Sequence, residues 1–80
     1  MALGTNSTVS GSYSVAEGYG NIASGYISHA EGCGTTANGS YSHSEGYNTI
    51  AAGYGAHAEG YESSAISEGS HAENRAYALG

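Results

Sequence analysis

Histidine and glutamate recur together along this chain. His29 and Glu31, His43 and Glu45, His57 and Glu59, and His71 and Glu73 are each separated by one small residue and stand fourteen residues from the next pair. Imidazole nitrogens and carboxylate oxygens are common ligands of transition metals, so a stack of such pairs has the donor set of a metal array. The candidate ligands are His29, His43, His57 and His71. The plainer reading is a solvated stripe that keeps one face of the fold soluble and blocks sideways association of strands. An imidazole titrates near ~6.5 when unperturbed, so either arrangement is mildly pH-sensitive. Catalysis has no comparable signal. Ser and His are abundant because the sequence repeats, and no Ser-His-acid constellation stands apart from the array. No catalytic residue is assigned, the chain does not read as an enzyme, and no cofactor is expected beyond that transition metal. The pieces "GYG" at 18–20 and "GCG" at 32–34 open no helix, which is the wrong context for binding phosphate.

The elements that hold these pairs must repeat with them. Gly recurs at 4, 11, 18, 25, 32, 39, 46, 53 and 60, and Ser67 and Asn74 continue the phase. Small residues stand two and four places before each of these glycines from Gly11 to Gly60. Alternate sevens differ: "SHAEG", "SHSEG" and "AHAEG" carry His where "NIASG", "TTANG" and "TIAAG" carry Ile22, Thr36 and Ile50, so the true repeat is fourteen. A helix is rejected, because Gly in every heptad costs about 1 kcal/mol each time and no a/d seam exists. Period-two alternation instead predicts strands of four or five residues, ended by the turn glycines Gly11, Gly18, Gly25, Gly32, Gly39, Gly46, Gly53 and Gly60. Two strands and two corners make a coil. Coils stacked in parallel at ~4.8 Å form an all-β roll, or solenoid, of about five turns.

Alternation also divides the faces. Ser and Ala point inward, and His and Glu point outward, since burying His and Glu ladders in a thin roll is costly unless every group is paired. The column Ile22, Thr36, Ile50 is then left apolar and exposed on a roll with almost no core, and such a face calls for a partner. Tyr19, Tyr47 and Tyr61 share one corner, with Cys33 in the fourth place. Tyr26 and Tyr54 share the other, and Tyr13 and Tyr41 follow at the next corner position. Stacked rings would shield strand edges. Exposed rings also anchor interfaces, which makes Tyr19, Tyr26, Tyr47, Tyr54 and Tyr61 candidates for contact with protein or carbohydrate.

Composition sets the bounds. The 80 residues make one small domain, with 14 Gly, no Pro, Phe or Trp, and a net charge of -6. A single Lys or Arg cannot hold nucleic acid phosphates or an anionic membrane, so neither is a partner. Cys33 has no partner for an internal disulfide. No stretch is long and apolar enough for direct membrane insertion, and "MALGTN" lacks the regions of a signal peptide. Toward the C-terminus the rule loosens: Ser67 and Asn74 replace Gly, Glu68 takes a corner, and Ala78-Leu79-Gly80 falls one residue out of phase. Residues 1–80 are thus expected to be one roll module, with regular repeats over 5–74 and a terminal transition over 75–80, cut from a longer fibrous protein. Asn74 is expected to keep the turn, since Asn tolerates the left-handed conformation.

The segments "SVAEGYGNIASG" and "SHAEGCGTTANG" resemble the head repeats of trimeric autotransporter adhesins of the YadA type. The spelling "SHAEG" is similar to variants in phage tail or fibre proteins and in Gram-positive surface proteins, and the resemblance covers about Thr5 to Asn74. It implies a left-handed parallel β-roll assembled as a homotrimer, located outside the cell on a bacterial surface or a phage virion. Handedness comes from the resemblance alone, because the general rule for parallel crossovers is right-handed. Its expected partners are two further copies of itself and a host-surface protein or glycan. Ile22, Thr36 and Ile50 become candidates for packing at the trimer axis; were the His face to line that axis, each tier would bring three imidazoles together. The chain departs from the adhesin pattern where Glu17, Glu31, Glu45, Glu59 and Glu73 replace an aliphatic and His replaces Val four times, so matrix binding does not carry over. The expected role is a structural or adhesive head or stalk module. A metal-binding trimer, and a scaffold for a catalytic or self-cleaving domain beyond Gly80, are the alternatives.

Overall fold

The computed structural model describes residues 2–73 and 77–78, and side chains over 5–73. Among the described residues, twelve strands alternate between two parallel sheets. The wide sheet holds β1 (Ala2–Thr5), β3 (Val15–Tyr19), β5 (His29–Cys33), β7 (His43–Tyr47), β9 (His57–Glu59) and β11 (His71–Glu73). The narrow sheet holds β2 (Thr8–Val9), β4 (Ile22–Ala23), β6 (Thr36–Ala37), β8 (Ile50–Ala51), β10 (Ser64–Ala65) and β12 (Tyr77–Ala78). Each strand pairs with the one two places on, in a register of fourteen that sets His29 beside His43 and Ile22 beside Thr36. The predicted all-β solenoid of fourteen-residue coils is what forms. At β12 the register slips: Tyr77 pairs with Ser64 and Ala78 with Ala65, thirteen residues apart. The expected turn at Asn74 and the rest of the terminal transition lie outside the described residues.

The interior is built from small side chains, as the alternation requires. Ala16, Ala23, Ala30, Ala37, Ala51, Ala58 and Ala65 are fully buried, and the second inward position carries Ser14, Asn21, Ser28, Thr35, Ser42, Thr49 and Ser63. Cα extents of 30 × 22 × 9 Å leave room for little else between the sheets. The buried polar groups have defined work. Thr35, Thr49 and Ser63 place their hydroxyls on the carbonyls of Glu31, Glu45 and Glu59, at 3.2, 3.0 and 2.7 Å, and the Asn21 amide does the same for Glu17. At the opposite corner Ser28, Ser42 and Ser70 donate to the carbonyls of Gly25, Gly39 and Ser67. The carbonyls of Gly39 and Ser67 also accept from the N–H groups of Ser42 and Ser70, and the buried hydroxyls find their own partners inside the roll.

The turns differ from the sequence expectation. Gly18, Gly32 and Gly46 lie inside the wide strands, and Gly11, Gly25, Gly39 and Gly53 lie in bends without positive φ. Left-handed residues come two places later, at Asn6, Tyr13, Gly20, Ile27, Gly34, Tyr41, Asn48, Gly55, Glu62 and Gly69, with φ between 52° and 69°. The repeat glycines serve stacking, and Gly18, Gly32, Gly46 and Gly60 also hold φ of 102–112°. A Cβ on any of Gly11, Gly18, Gly25, Gly32, Gly39 or Gly46 would fall 2.0–2.1 Å from the carbonyl oxygen of the glycine fourteen residues on.

Ile27 is the poorest occupant of the left-handed column. It is β-branched, has φ 52°, and leaves 41% of its surface exposed, so little packing offsets the strain. Ile27→Asn is expected to stabilise the roll by about 1 kcal/mol, seen as a raised urea midpoint at unchanged slope. A lowered midpoint would mean that the Ile27 side chain holds the corner.

Candidate functional site: the histidine and glutamate ladder

The wide sheet places the His and Glu residues. Each His opens its strand in β5, β7, β9 and β11, and each Glu follows two residues later on the same outward face. In-register pairing then stacks like on like. The imidazoles of His29, His43, His57 and His71 lie face to face, with centroids 4.6, 4.9 and 4.7 Å apart and planes within 5°. Each Nε2 points between two carboxylates, its own coil's and the preceding coil's. His29 Nε2 is 3.0 Å from Glu17 and 3.3 Å from Glu31; His43 is 3.6 Å from Glu31 and 3.7 Å from Glu45. His57 is 3.5 Å from Glu45 and 3.3 Å from Glu59, and His71 is 3.8 Å from Glu59 and 3.7 Å from Glu73.

A column of carboxylates at strand spacing cannot all be ionised independently. The Glu31 carboxyl is pushed up to about 7, first by its hydrogen bond to Glu45, then by burial. Glu45 is held down to about 2 because it accepts from Glu31 and from Glu59. Glu17 is lowered, chiefly by its hydrogen bond with His29, and Glu59 is raised, chiefly by Glu73 and then Glu45. Hydrogen bonding along the column therefore couples each carboxyl to its neighbours. His43 is lowered, first by burial and next by repulsion from His29. Its two carboxylate contacts are accordingly those of a neutral ring at neutral pH, because desolvation outweighs the attraction of Glu45. His43 Nε2 and His57 Nε2 are shielded from solvent and make no hydrogen bond among the described residues. An open groove of about 710 Å³ runs beside the column, lined by Glu17, Glu31, Glu45 and Glu59 and floored by the glycines that follow them.

One donor atom each from His29, Glu31 and His43 lie within 4.8 Å of one another, and the same holds for His57, Glu59 and His71. The four predicted His are thus brought together with their Glu partners. The Ile column is on the other sheet. Thr8, Ile22, Thr36, Ile50 and Ser64 align along it, with Ile22 and Ile50 about two-fifths exposed.

Tyrosines form two features. Tyr47 and Tyr61 stack in parallel at 5.1 Å, and Cys33 separates them from Tyr19. Tyr13, Tyr26, Tyr41 and Tyr54 make a single edge-to-face column, with centroids 6.1, 5.8 and 5.3 Å apart, where the sequence reading kept Tyr26 and Tyr54 apart from Tyr13 and Tyr41. The left-handed backbone at Tyr13 and Tyr41 lets rings from adjacent corner positions alternate. Spacings of 13, 15 and 13, scattered about fourteen, were the available signal.

No curated protein and no solved structure matches the chain. The YadA head domain repeat matches residues 1–21 and 44–66, as two copies. Residues between the two matches continue the same coils in unbroken register through β4, β5 and β6. With more than half of its length matched, the chain belongs to the YadA head repeat family.

Proposed function

We propose that the chain is a structural head or stalk module of a bacterial surface adhesin or phage tail fibre, acting outside the cell as a homotrimer that projects or forms a host-surface binding region. Family membership supports a surface module without catalytic work, and it implies self-association. The observation that carries the trimer is the interior. Among the described residues its buried apolar groups are alanines, with a partly buried Val9 packed against them, while Ile22, Ile50 and Ile66 are each about two-fifths exposed. A buried methyl contributes far less than the ~1.5–3 kcal/mol of a buried Ile or Leu, so a single roll gains little from its own core. Packing the Ile22, Thr36 and Ile50 columns of three copies together supplies the missing burial. Tyr19, Tyr26, Tyr47, Tyr54 and Tyr61 remain outward for contact with a host-surface protein or glycan.

Light scattering is the test. The purified chain is expected to show three times its own mass, and the Ile22→Glu/Ile50→Glu variant to fall to a monomer. A wild-type monomer would overturn the trimer, and a variant that stays trimeric would place the seam on another face.

A further inference from the structure

We infer that the His and Glu face binds divalent transition metal ions of the zinc class, two per chain, one held by His29, Glu31 and His43 and one by His57, Glu59 and His71. Three observations carry this. The donor set is two imidazoles and a carboxylate in each case, and the ligand atoms already lie within 4.8 Å of one another. Two nitrogens bound at about 2.0–2.1 Å can stand at most about 4.2 Å apart, so closing each site draws the nitrogens together and turns both stacked rings toward the shared ion. His side chains about one-third exposed have room for it. Second, Nε2 of His43 and of His57 are shielded from water and lack a hydrogen bond among the described residues, with carboxylate oxygens around them at 3.3–3.7 Å. Those distances exceed a good N–H···O bond and suit donors that flank a cation. Third, the described face holds five glutamates and no Lys or Arg to balance them.

The stoichiometry follows from the nitrogen count. Each ion takes two Nε2 atoms, so four stacked imidazoles make two sites. Glu45 falls between them, with one oxygen 3.7 Å from His43 and the other 3.5 Å from His57, where its carboxylate can bridge the two ions. Mixed nitrogen and oxygen donors select zinc, cobalt or nickel over calcium and magnesium, which need oxygen-rich shells. Both sites are built within one chain and do not depend on trimer formation.

Calorimetric titration of the full chain with zinc chloride at pH 7.5 is expected to saturate at two ions per chain. Tenfold magnesium should not compete, and binding should weaken by at least tenfold at pH 5.5 as protons claim the imidazoles. His43→Gln should reduce the count from two to one. Cobalt bound to the wild-type chain should show visible absorption from imidazole coordination that zinc removes, a readout independent of any variant's folding. Saturation below a tenth of an ion per chain, a count unchanged in His43→Gln, or cobalt binding without such absorption would each overturn the inference. Failure to bind with the trimer mass intact would leave the proposed function standing.

Discussion

Gly46→Ala is expected to abolish the folded roll. A Cβ at this position would lie 2.1 Å from the carbonyl oxygen of Gly60, 2.9 Å from its nitrogen and 3.0 Å from its carbonyl carbon, all of them backbone atoms of the next coil. No side chain can move aside to admit it. Relief requires β7 and β9 to separate, and parallel pairing between those strands is what fixes the coil spacing. The residue also has φ +107°, outside the range an L-residue with a Cβ adopts readily. Strain and lost pairing together exceed about 4 kcal/mol, most of what a small domain possesses. Gly55→Ala is the informative comparison. Its φ is +69°, but nothing lies within 4 Å of the added Cβ, so only the left-handed penalty of about 1–2 kcal/mol applies. Far-UV circular dichroism and urea melts should show Gly46→Ala unfolded in buffer and Gly55→Ala folded with a lower midpoint. Comparable melts for the two variants would show that contact between coils is not what demands glycine at position 46.

The same geometry explains which parts of the fold could be read from the residues. Period, strand direction and inward set follow from alternation, because a period of two fixes faces without reference to anything distant. Glycine at 46 reads equally well as a turn or as a close approach, since both need the absent side chain. Only the neighbouring coil decides between them. The turn column was nonetheless visible in Gly20, Gly34, Gly55 and Gly69 with Asn6 and Asn48, all in one phase of seven; Tyr13, Ile27, Tyr41 and Glu62 obscured it. Ser67 gains meaning from the stacking rule. A side chain in that column meets the carbonyl of a following coil, as Gly53 would meet that of Ser67 at 2.1 Å.

The candidate site was legible in composition and spacing, but its electrostatics were not. Spacing alone puts His over His and Glu over Glu. It does not reveal that each Nε2 falls between two carboxylates, which depends on rotamers shared down the stack. Nor does it reveal that Glu31 and Glu45 move in opposite directions, to about 7 and about 2. Each carboxyl is coupled to its neighbours in the stack by hydrogen bonding, and that coupling exists only once the coils have paired.

Asn21→Ala is expected to destabilise the roll by about 3 kcal/mol, the largest loss expected from an interior position. Asn21 is fully buried. Its Oδ1 accepts from the backbone N–H of Thr35 at 2.9 Å and sits 2.9 Å from the Thr35 hydroxyl; its Nδ2 donates to the Gly32 carbonyl at 3.0 Å and to that of Glu17. Alanine strands the Thr35 N–H and takes a side-chain donor from the Gly32 and Glu17 carbonyls, where the 9 Å thickness of the roll excludes compensation by solvent. Each such buried group costs about 1–3 kcal/mol when left unpaired, so an apolar interior residue is worse here than a polar one. Asn21→Thr provides the contrast, because Thr35 and Thr49 occupy the equivalent places and cap the carbonyls of Glu31 and Glu45 at 3.2 and 3.0 Å. Threonine should retain the bond to Glu17 and lose about 1 kcal/mol for the rest. Urea denaturation of both variants measures the difference. Equal losses would mean that packing volume, and not the pairing of backbone groups across coils, is what position 21 contributes.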